Sequence, residues 1–165
     1  MSQWRIELLD TPHVREAFDC GEETLNTFLY THAGQNARRD ISRTYVALPL
    51  ESDVVIGYYT LSSGSVSFSN LTEAMAKRLP KYPVPTAHLG RLAVDHHFQG
   101  QGLGGVLLVD ALKRVRDMAD RIGIHAVTVD ALNVKAKRFY EGFGFLPLLD
   151  DELHLFLPMA TIRKL

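Results

Sequence analysis

"FQGQGLGGVLLVDALKR", Phe98 to Arg114, decides how this chain is read. Glycines interleave with Gln99, Gln101 and Leu103, and the chain then turns apolar at helical spacing. Leu103, Leu107, Ala111, Leu112, Val115 and Met118 fall on one face of an α-helix. The preceding "HLGRLAVD", His88 to Asp95, reads as a strand, so the order is strand, glycine loop, helix. Such a loop has two readings. The glycines make a tight turn and nothing more, or they let the backbone press against an anion. A helix start leaves backbone N–H groups unpaired and carries partial positive charge, which suits a phosphate. A side chain at Gly102 or Gly104 would hold that phosphate away.

The Walker A loop needs a Lys and a Ser or Thr after its glycines, and neither follows here, which argues against an NTPase. Gly100, Gly102 and Gly105 meet the dinucleotide fingerprint, with Asp130 in reach of the ribose-acid role. That loop sits in mid-chain, however, and little chain follows to build the remaining parallel strands. A second pattern fits the same residues: Gln99-x-x-Gly102-x-Gly104. It resembles the pyrophosphate loop of the GNAT superfamily of N-acetyltransferases, Gln/Arg-x-x-Gly-x-Gly/Ala. The resemblance implies that the backbone of Gln99, Gly100, Gln101, Gly102, Leu103, Gly104 and Gly105 holds the diphosphate of acetyl-CoA.

At 165 residues and 46% apolar, the chain has the size and core of one domain over residues 1–165. No apolar run reaches membrane-spanning length, and "MSQWRIELLD" lacks the pattern of a secretion signal, so a cytoplasmic protein with no membrane partner is expected. Cys20 is the only cysteine, which fits a reducing compartment and a structural thiol better than a nucleophile. The net charge of -1 argues little for nucleic acid, yet basic residues cluster at Arg38, Arg39 and Arg43, at Lys77, Arg78 and Lys81, and at Lys135, Lys137 and Arg138. Each cluster is by default a solvated face. His96 and His97 invite a metal reading. Neighbours on an extended segment point apart, and no further ligand falls at a recognised spacing, so no metal is expected.

Along the chain, strands are expected at Trp4–Leu9, Arg43–Glu51 and Val54–Phe68, the last two joined as a hairpin at Ser52-Asp53. A helix after Gly21 places Leu25, Phe28, Leu29 and His32 on one side. A short helix spans 70–80, and Pro83 and Pro85 predict a loop over 81–87. The glycine-loop helix runs to about Arg121. A strand at 125–132, a helix at 133–143 and strands at 145–149 and 152–159 close the chain. This order, β-α-β-β-α-β-α-β-α-β-β, predicts an α/β fold with a mixed sheet and helices on both faces.

The second informative segment is "VDALNVKAKRFYEGFGF", Val129 to Phe145. Asn133 is placed to cap a short helix, Ala136, Phe139 and Tyr140 form one side of it, and Gly142 or Gly144 ends it. Phe139, Phe143 and Phe145 read as core, whereas a buried Tyr140 hydroxyl needs a partner. The segment resembles the second acetyl-CoA motif of the same superfamily, met here by Ala136, Tyr140, Gly144 and Phe145. By that resemblance the strands at Leu89–Asp95 and His125–Asp130 splay apart, and the backbone of Leu92, Ala93 and Val94 lies along the pantetheine arm. Asn133 and Phe139 join the cofactor-binding set, and Tyr140 sits beside the thioester sulfur as the catalytic residue. Asp95 and Asp130, at strand ends, read as turn or cap residues rather than bases.

The likeness reaches further. "FDCGEETLNTFL" (Phe18–Leu29), "IGYYTLSSGSV" (Ile56–Val66), "GRLAVD" (Gly90–Asp95) and "LFLPM" (Leu155–Met159) look like the TacT/AtaT-type toxins of bacterial toxin–antitoxin pairs. Membership implies acetylation of the α-amino group of aminoacyl-tRNA, a ribbon-helix-helix antitoxin, operator DNA bound through that antitoxin, and a homodimer. Two other readings stand beside it: a GNAT enzyme for a small-molecule or protein amine, and a non-catalytic acyl-CoA-binding module.

Overall fold

The computed structural model describes residues 3–165. The hydrogen-bonded strand order among them is β1-β2-β3-β4-β5-β7-β6, a mixed set of seven. The strands are β1 (Trp4–Leu8), β2 (Arg43–Pro49), β3 (Gly57–Val66), β4 (Val84–Val94), β5 (Ala126–Asp130), β6 (Leu146–Pro147) and β7 (His154–Pro158). The helices are α1 (Glu23–Thr27), α2 (Ala33–Arg38), α3 (Glu73–Ala76), α4 (Leu103–Met118), α5 (Val134–Glu141) and α6 (Met159–Ile162). The expected element order holds, with α6 added at the end, where Ile162 is fully buried. No helix among the described residues is long and apolar enough to cross a membrane.

The chain groups into two compact units. The first holds the residues up to Ser62 together with Gly90–Ala111. In it β1 pairs antiparallel with β2, from Trp4↔Pro49 to Leu8↔Tyr45, and β2 pairs antiparallel with β3, from Arg43↔Leu61 to Ala47↔Gly57, which is the hairpin the sequence predicts. Tyr58 organises its core. The ring stacks on Phe28 at 6.1 Å and meets Phe18 edge-on at 5.6 Å, and its hydroxyl donates to the Leu25 carbonyl at 2.7 Å. Leu103, Leu107, Leu108 and Ala111 bury the first part of the α4 face, while Met118, expected on that face, lies exposed in the last turn.

Between α1 and α2 the helix passes through a π-turn, Phe28–His32. A π-turn holds one residue more than an α-turn. Ala33, five residues after Phe28, therefore takes the buried place, and His32, expected on the buried side, faces solvent.

The second unit holds Ser63–Leu89 and Leu112–Leu165. Here β4 runs parallel to β5 from Thr86↔Ala126 to Leu89↔Val129, and β5 pairs antiparallel with β7 from Ala126↔Pro158 to Asp130↔His154. Val66, Leu71, Val84, Ala126, Leu148 and Phe156 form its core cluster. The loop expected over 81–87 is in fact strand from Val84 onward. Pro85 is tolerated because it is exposed and contributes a carbonyl, which accepts the His125 N–H at 2.9 Å. The helix expected over 70–80 shortens to α3, capped by the Thr72 hydroxyl accepting the Met75 N–H, and Arg78 at φ 66 breaks its continuation.

Candidate active site

In the first unit β4 delivers the chain into the glycine loop through a 3-10 turn, His96–Phe98. Asp95 caps that turn, as expected of it: Oδ1 accepts the His97 N–H at 2.9 Å and Oδ2 accepts the Asp19 N–H at 3.0 Å. The His96 N–H donates to the Asp19 carbonyl at 2.9 Å. Asp19 Oδ1 accepts the Gly21 N–H and the Asn26 side-chain amide, both at 2.9 Å, and Asn26 Oδ1 accepts the Cys20 N–H. The Gln99 amide then donates to the Val94 carbonyl at 2.9 Å and to the Cys20 carbonyl at 3.2 Å. The Asp19–Gly21 turn and the start of the glycine loop are thus one hydrogen-bonded piece. Asp19 and Asn26 fall within the Phe18–Leu29 stretch, but no role was read for either residue there. The available signal was the Asp-x-Gly pattern at Asp19–Gly21, a turn in which a carboxylate bonds its own backbone two residues on.

These contacts set the acidities. The Asn26 amide and then the Gly21 N–H hold the Asp19 carboxyl below its ordinary value. Burial pushes Asp95 upward, but the N–H groups of Asp19 and His97 outweigh it, and the net shift is downward. A carboxylate depressed in the folded state stabilises the fold above its unfolded pKa, near 3.9, and loses that contribution as pH falls through the folded value. Asp95→Asn should therefore lower the melting temperature near neutral pH, and its deficit against the wild type should shrink as pH drops from about 5 to 2. A deficit independent of pH, in thermal melts across that series, would show that the charge of Asp95 does not matter.

The segment His96–His97 is this 3-10 turn, not the extended run that the sequence suggests. The two imidazoles lie side by side with centroids 4.0 Å apart. Donor atoms of Asp95, His96 and His97 fall within 4.8 Å of one another, but both Asp95 oxygens are already committed to backbone N–H groups.

Past Gln99 the backbone turns left-handed twice, at Gly100 (φ 81) and Gly102 (φ 85). A Cβ at either would meet nothing within 4 Å, so the space over the loop is open. The first bond into α4 is Val106 N–H to the Gly102 carbonyl at 3.1 Å, which leaves the amides of Leu103, Gly104 and Gly105 ahead of it. Leu103 buries its side chain and anchors the helix start, while Gln99, Gly100, Gln101 and Gly102 remain exposed. Leu92, Ala93 and Val94 lie on β4 beyond Leu89↔Val129, the last pair of the β4–β5 ladder.

In the second unit Asn133 caps α5, its side chain accepting the Ala136 N–H at 2.9 Å. Tyr140 is 7% exposed and packs edge-on against Phe139 at 5.2 Å and Phe145 at 5.5 Å. Its hydroxyl has no hydrogen-bond partner among the described residues and is not one of the buried unpartnered oxygens, so it is open to a ligand or solvent. Burial pushes the phenol well above its ordinary value, so it stays protonated at every physiological pH. Of the three phenylalanines expected in the core only Phe145 is there; Phe139 and Phe143 are half-buried and lie against each other at 5.4 Å. Phe143 lies past the end of α5, and its ring leans on Phe139 rather than entering the core. Gly142 follows α5 in helical conformation, and Gly144 (φ 100) makes the left-handed step. Asp130, exposed at the end of β5, lies 3.4 Å from His88 and 3.9 Å from His154.

Residues 16–154 match the family model described as an acetyltransferase (GNAT) domain, and the chain belongs to the GNAT acetyltransferases. Within that family it is similar to toxins. It is 37% identical to a probable toxin TacT of Sinorhizobium fredii, over 97% of this chain and 93% of that one. It is 40% identical to a tRNA-acetylating toxin of Mycobacterium tuberculosis, over 90% of this chain and 88% of the other. Among solved structures, AtaT complexed with acetyl-methionyl-tRNAfMet matches with a TM-score of 0.91 and 38% identity, over 98% of both chains. A mutant AtaT toxin bound to the C-terminus of the antitoxin AtaR and acetyl-CoA matches at 0.85 and 37%, over 99% of this chain and 98% of that one. The AtaT-AtaR complex bound to DNA matches at 0.79 and 39%, over 97% of both.

Proposed function

We propose that this chain is a tRNA-acetylating toxin that moves an acetyl group from acetyl-CoA to the α-amino group of aminoacyl-tRNA and so blocks translation. The observation that carries this is likeness along nearly the whole chain to toxins whose names state that chemistry. The chain acts as one GNAT domain in the cytoplasm, where charged tRNA is made and used. Its partners are a ribbon-helix-helix antitoxin, operator DNA reached through that antitoxin, and a second copy of itself.

Each part of the chain has a role in that reaction. The exposed amides at Gln99–Gly105, backed by the positive end of α4, hold the diphosphate of acetyl-CoA. The β4 backbone at Leu92, Ala93 and Val94 lies along the pantetheine arm, with an N–H donating to the thioester oxygen as negative charge develops there. Asn133 and Phe139 complete the cofactor contacts. The neutral amine attacks the thioester carbon, the C–S bond breaks, and the thiolate takes the Tyr140 hydroxyl proton. The proton lost by the amine passes to solvent and is recovered by the phenolate. An α-amino group titrates near 8 against about 10.4 for lysine, so on the order of a tenth is neutral at pH 7 and a strong base is dispensable. No step needs Cys20, whose thiol burial pushes up and whose sulfur donates to the Glu22 carbonyl at 3.6 Å.

The test is direct: purified protein, labelled acetyl-CoA, and charged tRNA set beside uncharged tRNA, free amino acids and a lysine peptide. The expected product is N-acetyl-aminoacyl-tRNA alone. Label on the peptide or free amines, with none on charged tRNA, would assign the chain to a different acceptor.

A further inference from the structure

We propose that the cavity walled by Arg15, Arg38, Arg43 and Thr44 is a phosphate site that seats one backbone phosphate of the tRNA substrate, an inference that rests on the function proposed above. The cavity, of about 290 Å³, belongs to the first unit and lies under the end of β1, beside α2 and the start of β2. Its lining holds three arginines and one acidic residue, Asp10, whose carboxylate already accepts the Thr11 N–H at 2.7 Å, while the Arg43 charge is met by Asp40 outside the lining.

The arginines differ in how they are held. Arg43 is fixed by the Asp40 carboxylate at 2.7 Å and the Ala37 carbonyl at 2.9 Å. Arg15 spends one nitrogen on the Leu29 carbonyl at 3.1 Å. Neither Arg15 nor Arg38 has a carboxylate partner among the described residues. The Arg38 guanidinium folds back over Gly34, where a Cβ would approach Nη1 to 3.3 Å, so the glycine gives that head group its place. Thr44 also lines the cavity, with its hydroxyl buried away from it. The wall is therefore rich in donors and poor in acceptors.

That composition selects an anion, and planar guanidinium forks select one with paired oxygens. No aromatic residue lines the cavity, so nothing there stacks a base. The volume sits at the lower edge of ligand cavities, enough for a phosphate with part of its sugar. A chain of net charge -1 offers RNA no general attraction, so a local arginine socket gives the substrate a fixed point of attachment.

The experiment uses Arg38→Glu, a change at an exposed residue, with Arg38→Lys to restore charge without the fork. Filter binding of uncharged tRNA across a salt series needs no catalysis. The slope of log affinity against log salt is expected to fall by roughly one for Arg38→Glu, with affinity down about ten-fold or more, and Arg38→Lys is expected to recover most of the slope. In turnover, the ratio of kcat/KM for charged methionyl-tRNA to that for methionine methyl ester should fall by about the same factor. An unchanged slope, or an equal loss on tRNA and ester, would overturn the site. So would an unchanged slope with weakened binding of the antitoxin's C-terminal peptide, which would give the cavity to an acidic peptide instead. If the wild type binds tRNA with the expected slope yet does not acetylate charged tRNA, the function fails and the phosphate site stands.

Discussion

Tyr140→Phe should lower kcat by roughly 10²-fold or more while leaving acetyl-CoA affinity nearly unchanged. The substitution keeps the ring that packs on Phe139 and Phe145 and removes only a hydroxyl that has no partner among the described residues. Stability should therefore hold, because no hydrogen bond within the described fold is lost. The phenol suits a proton donor, since burial raises its pKa and keeps it protonated whenever a thiolate needs the proton. Steady-state turnover of charged tRNA at saturating acetyl-CoA reads the loss, calorimetry reads the retained affinity, and growth arrest on expression should vanish with the activity. A folded Tyr140→Phe protein that acetylates at the wild-type rate would remove the hydroxyl from the mechanism.

Gly102→Glu should abolish acetyl-CoA binding. Two effects add. At φ 85 any side chain is strained, costing about 1–2 kcal/mol, and the open space above the loop would receive a carboxylate where the diphosphate belongs. Gly104→Asp should act through bulk and charge at the diphosphate without backbone strain, since that residue lies within α4. Calorimetric titration with acetyl-CoA separates the contributions: Gly102→Ala should weaken binding modestly and Gly102→Glu should remove it. Near wild-type affinity in Gly102→Glu would deny the loop its phosphate role.

The short helix that carries Tyr140 and the tight turn at Gly102 were legible in the sequence, the turn for a physical reason that extends to other positions. A backbone that must turn left-handed in open space leaves a glycine, and a helix start leaves a capping Asn such as Asn133 at a fixed offset. The strand and helix order followed equally from periodicity. The hidden part depends on groups far apart in the chain. The bonds from Gln99 to the Cys20 carbonyl and from Asp95 to the Asp19 N–H cross more than 70 positions and leave no local pattern. Pro85 misled because proline forbids only donation, and a strand residue that offers its carbonyl loses nothing. Phe139 and Phe143 misled because aromatic character signals burial in general, whereas these two rings pack on each other and stay half-buried.

The π-turn at Phe28–His32 has a bearing on how this segment varies in length. An α-helical face would return to the core one residue sooner, so the helix carries a spare residue, absorbed without disturbing the phase of α2 beyond it. Ala33 reaches the core, and Gly34, Ala37 and Arg38 reach their cavity, as though that residue were not there. Loss of an exposed position such as Thr31 or His32 would relax the turn to an ordinary α-turn and leave both faces aligned. Gain of a second would rotate α2 by about 100° and turn Arg38 out of the socket. Mid-helix length, ordinarily the least negotiable feature of a fold, is here adjustable in one direction only.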